Sequence, residues 1–254
     1  MKNKILKNKL INNEITIGSW ITIGHPSVAE ILGNAGFDWL TIDMEHNSID
    51  NSMMQSLITV IQSKDIAALV RVSQNNEVFI KHALDAGADG VIIPMINNKN
   101  DAENAVKYAM YPPAGKRGVG LSRAQNYGLG FDKYKKWHTD NLIIIAQIEH
   151  IDGITNLEEI IKVKGIDAVL VGPYDLSGSL NYPGDFKRKE LKVALDKFKF
   201  ICKKSKFPMG YHIVDSNPNL VKSKIKEGYS FLAFSTDFLF MGNSSLKMMK
   251  IISK

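Results

Sequence analysis

Within the stretch FDWLTIDMEH, residues 37–46, an apolar run ends in Asp43, Glu45 and His46. Arg71 follows the apolar run IAALV, Gln147 and Glu149 close LIIIAQIE, Asp175 lies in GPYD, and His212 lies in MGYHIV. Carboxylates, an imidazole and a guanidinium at the ends of apolar runs are the raw material for charge stabilisation and proton transfer. Two carboxylates, Glu149 and Asp175, together with substrate oxygens, suit a hard divalent cation such as Mg²⁺ or Mn²⁺. The competing use of the same residues is to cap loop amides or pair with lysines.

Arg71 stays charged at every relevant pH, and its fork suits a substrate carboxylate or a developing oxyanion. A salt bridge with Asp43 is its structural alternative. His46 is the natural proton carrier near neutral pH, given an acidic partner to orient it. Strand alternation sends Asp43 and Glu45 to one side and His46 to the other, so the three converge only if the chain turns after Asp43. His25, His82, His138 and His150 have no such company and are read as surface or capping residues.

The elements that would position these groups are legible in the hydrophobic pattern. Apolar, β-branched segments at 15–23, 38–43, 67–72, 90–95, 142–149, 167–172, 208–214 and 230–235 read as strands. Helical patterns fill the gaps between them: SVAEILGNAG, NSMMQSLITVIQS, EVFIKHALDAG, DAENAVKYAM, TNLEEIIKV, KRKELKVALDKFKFICKK, NPNLVKSKIKEG and a closing SSLKMMKIIS. Most of the strands are continuous apolar runs, the signature of a parallel sheet buried on both faces. Alternation repeated this many times in 254 residues predicts an α/β fold, a single-domain (β/α)₈ TIM barrel spanning 1–254. In such a barrel the site forms at the C-terminal ends of the strands, where the residues above fall.

One connection breaks the rhythm. Residues 111–141, YPPAGKRGVGLSRAQNYGLGFDKYKKWHTDN, are far longer than an ordinary loop and are read as a functional or interface segment.

What is missing narrows the chemistry. The predicted strands contain no lysine, so a Schiff base inside the barrel has no candidate. There is no G-x-S-x-G, no G-x-G-x-x-G after the first strand, and the lone Cys202 sits on a helical pattern and is read as packing. The net charge of +6 comes from scattered lysines rather than an aromatic-studded stripe, so no nucleic-acid partner is expected. No apolar run reaches membrane-spanning length and no signal peptide is apparent, so a cytoplasmic protein with no membrane partner is the default. A cation, a histidine and an arginine without a nucleophile point to enolate stabilisation with proton transfer.

Taken together, GSW, FDWLTIDMEH, LVRV, LDAGADGVIIPM, YPPAGKRGVG, QIEH and GIDAVLVGPYDLSGSLNYPG resemble, in order and spacing, the HpcH/HpaI aldolase family of metal-dependent class II pyruvate aldolases. The resemblance covers about residues 14–240. It implies a divalent metal (Mg²⁺, Mn²⁺ or Co²⁺) on Glu149 and Asp175, with pyruvate chelating it. It further implies that Arg71 contacts the keto oxygen, that Gln147 and the backbone around Tyr174 and Asp175 help hold pyruvate, and that His46 acts as acid/base through a water on the metal. Asp43 lies in the same motif. Asp85, in LDAG, matches a carboxylate that reaches the histidine from an adjacent subunit, and the family forms hexamers as dimers of trimers with the last helix, here 237–254, exchanged between subunits.

The chain departs from many relatives in carrying Tyr174, Tyr211 and His212, where smaller or apolar groups occur. Bulk and polarity there would retune the aldehyde pocket, and His212 is a specificity candidate. The expected activity is reversible cleavage of a 4-hydroxy-2-oxo acid of the 2-keto-3-deoxy type to pyruvate and an aldehyde. The alternatives are a carbon–carbon lyase acting on a CoA thioester, like the citrate lyase β-subunit group, and a non-catalytic keto-acid-binding barrel.

Overall fold

The computed structural model describes residues 3–253. Eight parallel strands close on themselves in chain order: β1 (Thr16–Ile21), β2 (Trp39–Asp43), β3 (Ala67–Arg71), β4 (Gly90–Ile93), β5 (Ile143–Ile148), β6 (Ala168–Val171), β7 (Met209–Ile213) and β8 (Phe231–Thr236). The helices are α1 (Asn3–Ile11), α2 (Pro26–Gly33), α3 (Asn51–Ser63), α4 (Glu77–Asp85), α5 (Lys99–Ala109), α6 (Phe131–Asn141), α7 (Ile151–Thr155), α8 (Leu157–Ile160), α9 (Pro173–Ser179), α10 (Lys189–Ser205), α11 (Pro218–Glu227) and α12 (Asp237–Ile252). The (β/α)₈ barrel expected from the sequence is the fold observed. No described helix is long and apolar enough to cross a membrane.

Side chains divide into two cores because each strand is buried on both faces. Outward residues such as Ile42, Val70, Ile144 and Val169 pack against the helices. Inward residues Trp39, Leu69, Ile92, Ile145, Leu170 and Phe231 fill the barrel itself. Trp39 stacks on Phe231 with ring centroids 4.3 Å apart, and Gly18 makes room for it. A Cβ at Gly18 would fall 2.0 Å from the Trp39 ring.

Toward the C-terminal ends of the strands the inward positions change from apolar to polar. Thr41 and Asp43 continue the inward face of β2 above Trp39, Arg71 that of β3 above Leu69, Gln147 that of β5 above Ile145, and His212 that of β7 above Gly210. The fold therefore delivers an apolar plug below and a polar bowl above.

The opposite end is closed by α1, a helix that the Lys- and Asn-rich start had not suggested. Leu6 and Leu10 join the inner core, and Lys7 donates at 2.6 Å both to Asp167 and to the Leu142 carbonyl. The connection 111–141 is only partly loop: Arg123–Gln125 form a 3₁₀ turn and Phe131–Asn141 form α6. Its anchor is the buried Arg117, which donates to Asp85 at 2.6 Å and to the Tyr134 hydroxyl at 3.0 Å and lies 4.7 Å over the Tyr111 ring. His138, read from the sequence as surface or capping, is instead a core residue of α6 bonded to the Ala109 carbonyl. Burial and the charge of Arg117 push it down to about 4.

Candidate active site

The turn needed after Asp43 is present. Strand β2 stops there, the Met44 amide donates to the Arg71 carbonyl, and the Glu45 amide turns back to donate to Asp43 Oδ1 at 3.1 Å. Asn47 closes the turn with a 2.5 Å bond to Asp43 Oδ2. Asp43 and Arg71 are register partners on adjacent strands, and they form a buried two-pronged pair, Nε to Oδ1 at 2.8 Å and Nη2 to Oδ2 at 2.7 Å. Desolvation opposes charge on Asp43, but the Arg71 fork outweighs it and holds this carboxyl below its ordinary range. The structural alternative for Arg71 is thus realised, yet it leaves the functional one open: Nη1 has no hydrogen bond to any described residue. Asp43 fixes the fork and one amino group remains to offer.

Glu45 lies 3.3 Å from Arg71 Nε and 3.7 Å from His46 Nε2. His46 itself is largely exposed at the rim, its side chain 62% accessible. The sequence singled out Glu45 but gave it no role. The geometry makes it the link between arginine and histidine, and its buried Oε2 accepts no hydrogen bond.

Across the bowl, Glu149 follows β5 and is buried. Its carboxyl accepts from the Met95 amide at 3.2 Å and from the Gln147 side chain, whose own carbonyl oxygen is buried without a partner. Asp175 lies not at a strand end but in the first turn of α9, a helix the Gly- and Ser-rich GPYDLSGS did not announce. Burial, then the negative charges of Glu45 and Asp175, push the Glu149 carboxyl up to about 7. Burial, offset by Arg71 and reinforced by Asp43 and Asp175, brings Glu45 to about 7 as well. Negative charge on neighbouring carboxylates therefore opposes the ionisation of Glu45 and of Glu149, which is the field a cation relieves.

Among the described residues no group of three His, Cys, Asp or Glu side chains is arranged to hold a metal by itself. The Glu149 and Asp175 carboxylates, with the unbonded Gln147 side-chain oxygen beside Glu149, form an all-oxygen set that fits a hard divalent ion completed by solvent or substrate oxygens.

A cavity of about 640 Å³ opens beside this edge, lined by Met95, Glu149, His150, Tyr174, Asp175 and Pro183 among others. Tyr174 is half exposed and meets Phe186 edge-on at 4.8 Å. His150 caps α7 as expected and also lines this cavity. Tyr211 does not reach the bowl: it points outward, edge-on to Tyr229 at 5.2 Å with Lys224 over its ring. His212 points inward, 5.1 Å from the Trp20 ring, and Arg71 lies 4.4 Å over that same indole. Burial and Arg71 push His212 down to about 3, so the imidazole is uncharged at neutral pH.

Asp85 is not brought to this cluster within the chain. It ends α4, beside the start of β4 and hence at the opposite end of the barrel, where Arg117 holds it. The sequence reading did not single out Trp20 or Asn47 individually. Trp20 sits within GSW, a weak signal, and Asn47 carries none without the turn geometry.

The model for the HpcH/HpaI aldolase/citrate lyase family matches residues 16–243. The chain is 37% identical over 226 residues to a 2-dehydro-3,6-dideoxy-6-sulfogluconate aldolase of Pseudomonas putida, covering 89% of this chain and 88% of that one. It is 32% identical to a hydroxypyruvate/pyruvate aldolase of Roseobacter denitrificans, covering 94% and 93%. Among solved structures, an HpcH/HpaI aldolase/citrate lyase family protein from Burkholderia cenocepacia superposes with a TM-score of 0.94 at 29% identity, covering 99% and 100%. The chain belongs to the HpcH/HpaI aldolase/citrate lyase family and is a carbon–carbon lyase.

Proposed function

We propose that this chain is a divalent-cation-dependent aldolase that reversibly cleaves a 4-hydroxy-2-oxo acid to pyruvate and an aldehyde. The observation that carries the reading is the bowl itself: an arginine locked by a buried aspartate faces Glu45 and Glu149, whose carboxyls burial and neighbouring negative charge raise to about 7. Glu149 and Asp175 would hold the cation, Mg²⁺, Mn²⁺ or Co²⁺. When bound, it would supply positive charge to the oxygen on which the enolate develops, an effect worth several kcal/mol.

The residues of the chain do the rest. Asp43 keeps Arg71 in one orientation, and Arg71 Nη1 donates to the keto oxygen as negative charge builds there. Gln147 orients the Glu149 carboxyl and, with the backbone at Tyr174 and Asp175, helps seat the keto acid. His46, at the rim and close to Glu45, takes the proton from the C4 hydroxyl as the C3–C4 bond breaks and returns it in the reverse direction. Tyr174 and His212 border the space left for the remainder of the substrate.

Assembly completes the account. The remote Asp85 would act on His46 of another subunit, which requires a homo-oligomer, and a hexamer built as a dimer of trimers satisfies this. Exposed Met241, Leu246, Met249 and Ile252 on α12 support exchange of that helix between subunits.

The test is a coupled pyruvate-release assay on 4-hydroxy-2-oxo acids with and without EDTA. The reading expects release that EDTA abolishes and Mg²⁺, Mn²⁺ or Co²⁺ restores, and that Arg71→Ala removes. Full activity in EDTA, or no release from any free keto acid, would overturn it. Turnover of acyl-CoA substrates alone would move the chain to the citrate-lyase-like reading.

A further inference from the structure

One side chain on the wall of the cavity beside Glu149 and Asp175 has no part in the scheme above. His150 lines that cavity, one residue beyond Glu149. Its two ring nitrogens have different uses. Nδ1 accepts from the Asp152 amide at 3.2 Å and so caps α7, with the Asp152 carboxylate also 3.2 Å away. Nε2 makes no hydrogen bond to any described residue. Because the Nδ1 lone pair is used on the amide, the proton of the neutral ring resides on Nε2, which is therefore a donor.

His25 makes the same bond at the exposed start of α2, so capping by itself assigns nothing. The ordinary capping residues are Ser, Thr, Asp and Asn, and any of them would serve α7. An imidazole adds a second polar atom, and at position 150 that atom belongs to a residue of the cavity wall.

The wall around it is held in place. Ser179 Oγ accepts from the Ile151 amide at 3.1 Å and donates to the Leu176 carbonyl at 2.7 Å, which ties the start of α7 to the end of α9. Ser177 Oγ accepts from the Gly184 amide at 2.8 Å and donates to the Tyr174 carbonyl at 2.6 Å, which seats Pro183 and Gly184 against the same helix. On a third side Met95 holds φ +53°, a left-handed conformation that side chains resist, and its amide reaches the Glu149 carboxyl. His150 therefore keeps a fixed position relative to the carboxyl pair.

Charge selects the partner. The cavity is lined by the carboxylates of Glu149 and Asp175 and, among the described residues, by no lysine or arginine, and Asp152 stands against the far nitrogen of His150. A second carboxylate, a sulfonate or a phosphate on the substrate would enter without a counter-charge. A hydroxyl oxygen accepts from the Nε2–H and brings no charge. Groups beyond the aldehyde carbon are also the part of the substrate that Arg71 and the cation leave uncontacted.

Resting on the aldolase reading above, we infer that His150 is a specificity residue, its Nε2–H donating to a hydroxyl of the aldehyde fragment, so that neutral hydroxyaldehydes are preferred to deoxy or anionic ones.

The test compares kcat/KM for the addition of pyruvate to glyceraldehyde, butanal and 4-oxobutanoate, in the Mn²⁺-loaded wild type and in His150→Asn. Asparagine keeps an oxygen at the cap and removes Nε2. Taking the ratio of glyceraldehyde to butanal within each protein, and then comparing the proteins, cancels the intrinsic reactivities of the aldehydes. That ratio is expected to fall about fivefold in His150→Asn, the worth of one hydrogen bond, chiefly through KM for glyceraldehyde, while the unfolding midpoint stays at the wild-type value. His150→Ser, which also caps, serves if the asparagine variant fails to fold. An unchanged ratio in a folded variant would reduce His150 to a cap and overturn the inference while leaving the aldolase reading standing. A preference for 4-oxobutanoate that the substitution removes would overturn it too, since the subsite would then read an anion. No addition to any of the three aldehydes by the wild type would overturn both.

Discussion

Asp43→Asn isolates the contact on which the arrangement of the bowl depends. Asp43 and Arg71 are each under one tenth exposed and share two bonds of 2.8 and 2.7 Å. The substitution keeps size and removes charge, so one of the two acceptors becomes an amide that donates toward the guanidinium. Arg71 is left buried with Glu45 at 3.3 Å as its remaining counter-charge. Breaking one side of a buried pair costs roughly 3–5 kcal/mol, and the surviving Glu45 contact places this case near 3 kcal/mol. At roughly 2–4 °C per kcal/mol for a chain of this size, the midpoint of thermal unfolding should fall by about 6–12 °C. Turnover should fall by about 10²-fold or more, because Arg71 loses its fixed direction. The assays are scanning calorimetry and the pyruvate-release measurement on the same preparation. Adding Arg71→Met to Asp43→Asn should recover part of the stability, since the buried charge is then gone, but none of the activity. A midpoint change below about 2 °C would refute the claim that this pair is desolvated and mutually dependent.

Two other outcomes follow from the packing and the charges. Gly18→Ala places a methyl group against the Trp39 ring, which is itself stacked on Phe231 and has nowhere to move; a loss of about 1–3 kcal/mol is expected in chemical denaturation, and wild-type stability would show that the inner core is looser than described. In the cation-free protein, Glu45 and Glu149 have folded values of about 7 against 4.5 for the unfolded chain. Stability from these raised groups is therefore present below pH 4.5 and lost as pH rises through 7, by about 3 kcal/mol for one such group. In EDTA the unfolding midpoint should drop between pH 5 and 7.5, and the gain on adding Mg²⁺ should grow over the same interval. A flat profile in EDTA would mean that the carboxyl groups do not oppose one another.

Most of the barrel was legible because its strands are buried on both faces, which leaves continuous β-branched runs such as IAALV and LIIIA between helical patterns. The site was legible where charge interrupts those runs: Asp43, Arg71, Gln147 and Glu149 fall at the inward ends the pattern implied. Helix α1 escaped because Leu6 and Leu10 are a sparse signal among lysines and asparagines, although they seal the barrel floor. Helix α9 escaped because Gly172, Pro173 and Ser177 read as loop chemistry, so Asp175 was placed at a strand end rather than in a helical turn. The resemblance implies a pocket role for Tyr211, but the alternation of β7 turns it outward while His212 turns in. Trp20 meets His212 and Arg71 from strands distant in sequence, so only the closed barrel reveals it, and Asn47 becomes visible only with the turn that follows Asp43.

The central claim is that one divalent cation sits between Glu149 and Asp175. Titration of the wild type, Glu149→Gln and Asp175→Asn with Mn²⁺, read by electron paramagnetic resonance at pH 8, addresses it directly. The account expects one bound ion per chain in the wild type and a loss of that ion, at matched concentration, in each variant while the barrel remains folded. Saturable binding that is undiminished in both variants, or none in the wild type, would contradict it.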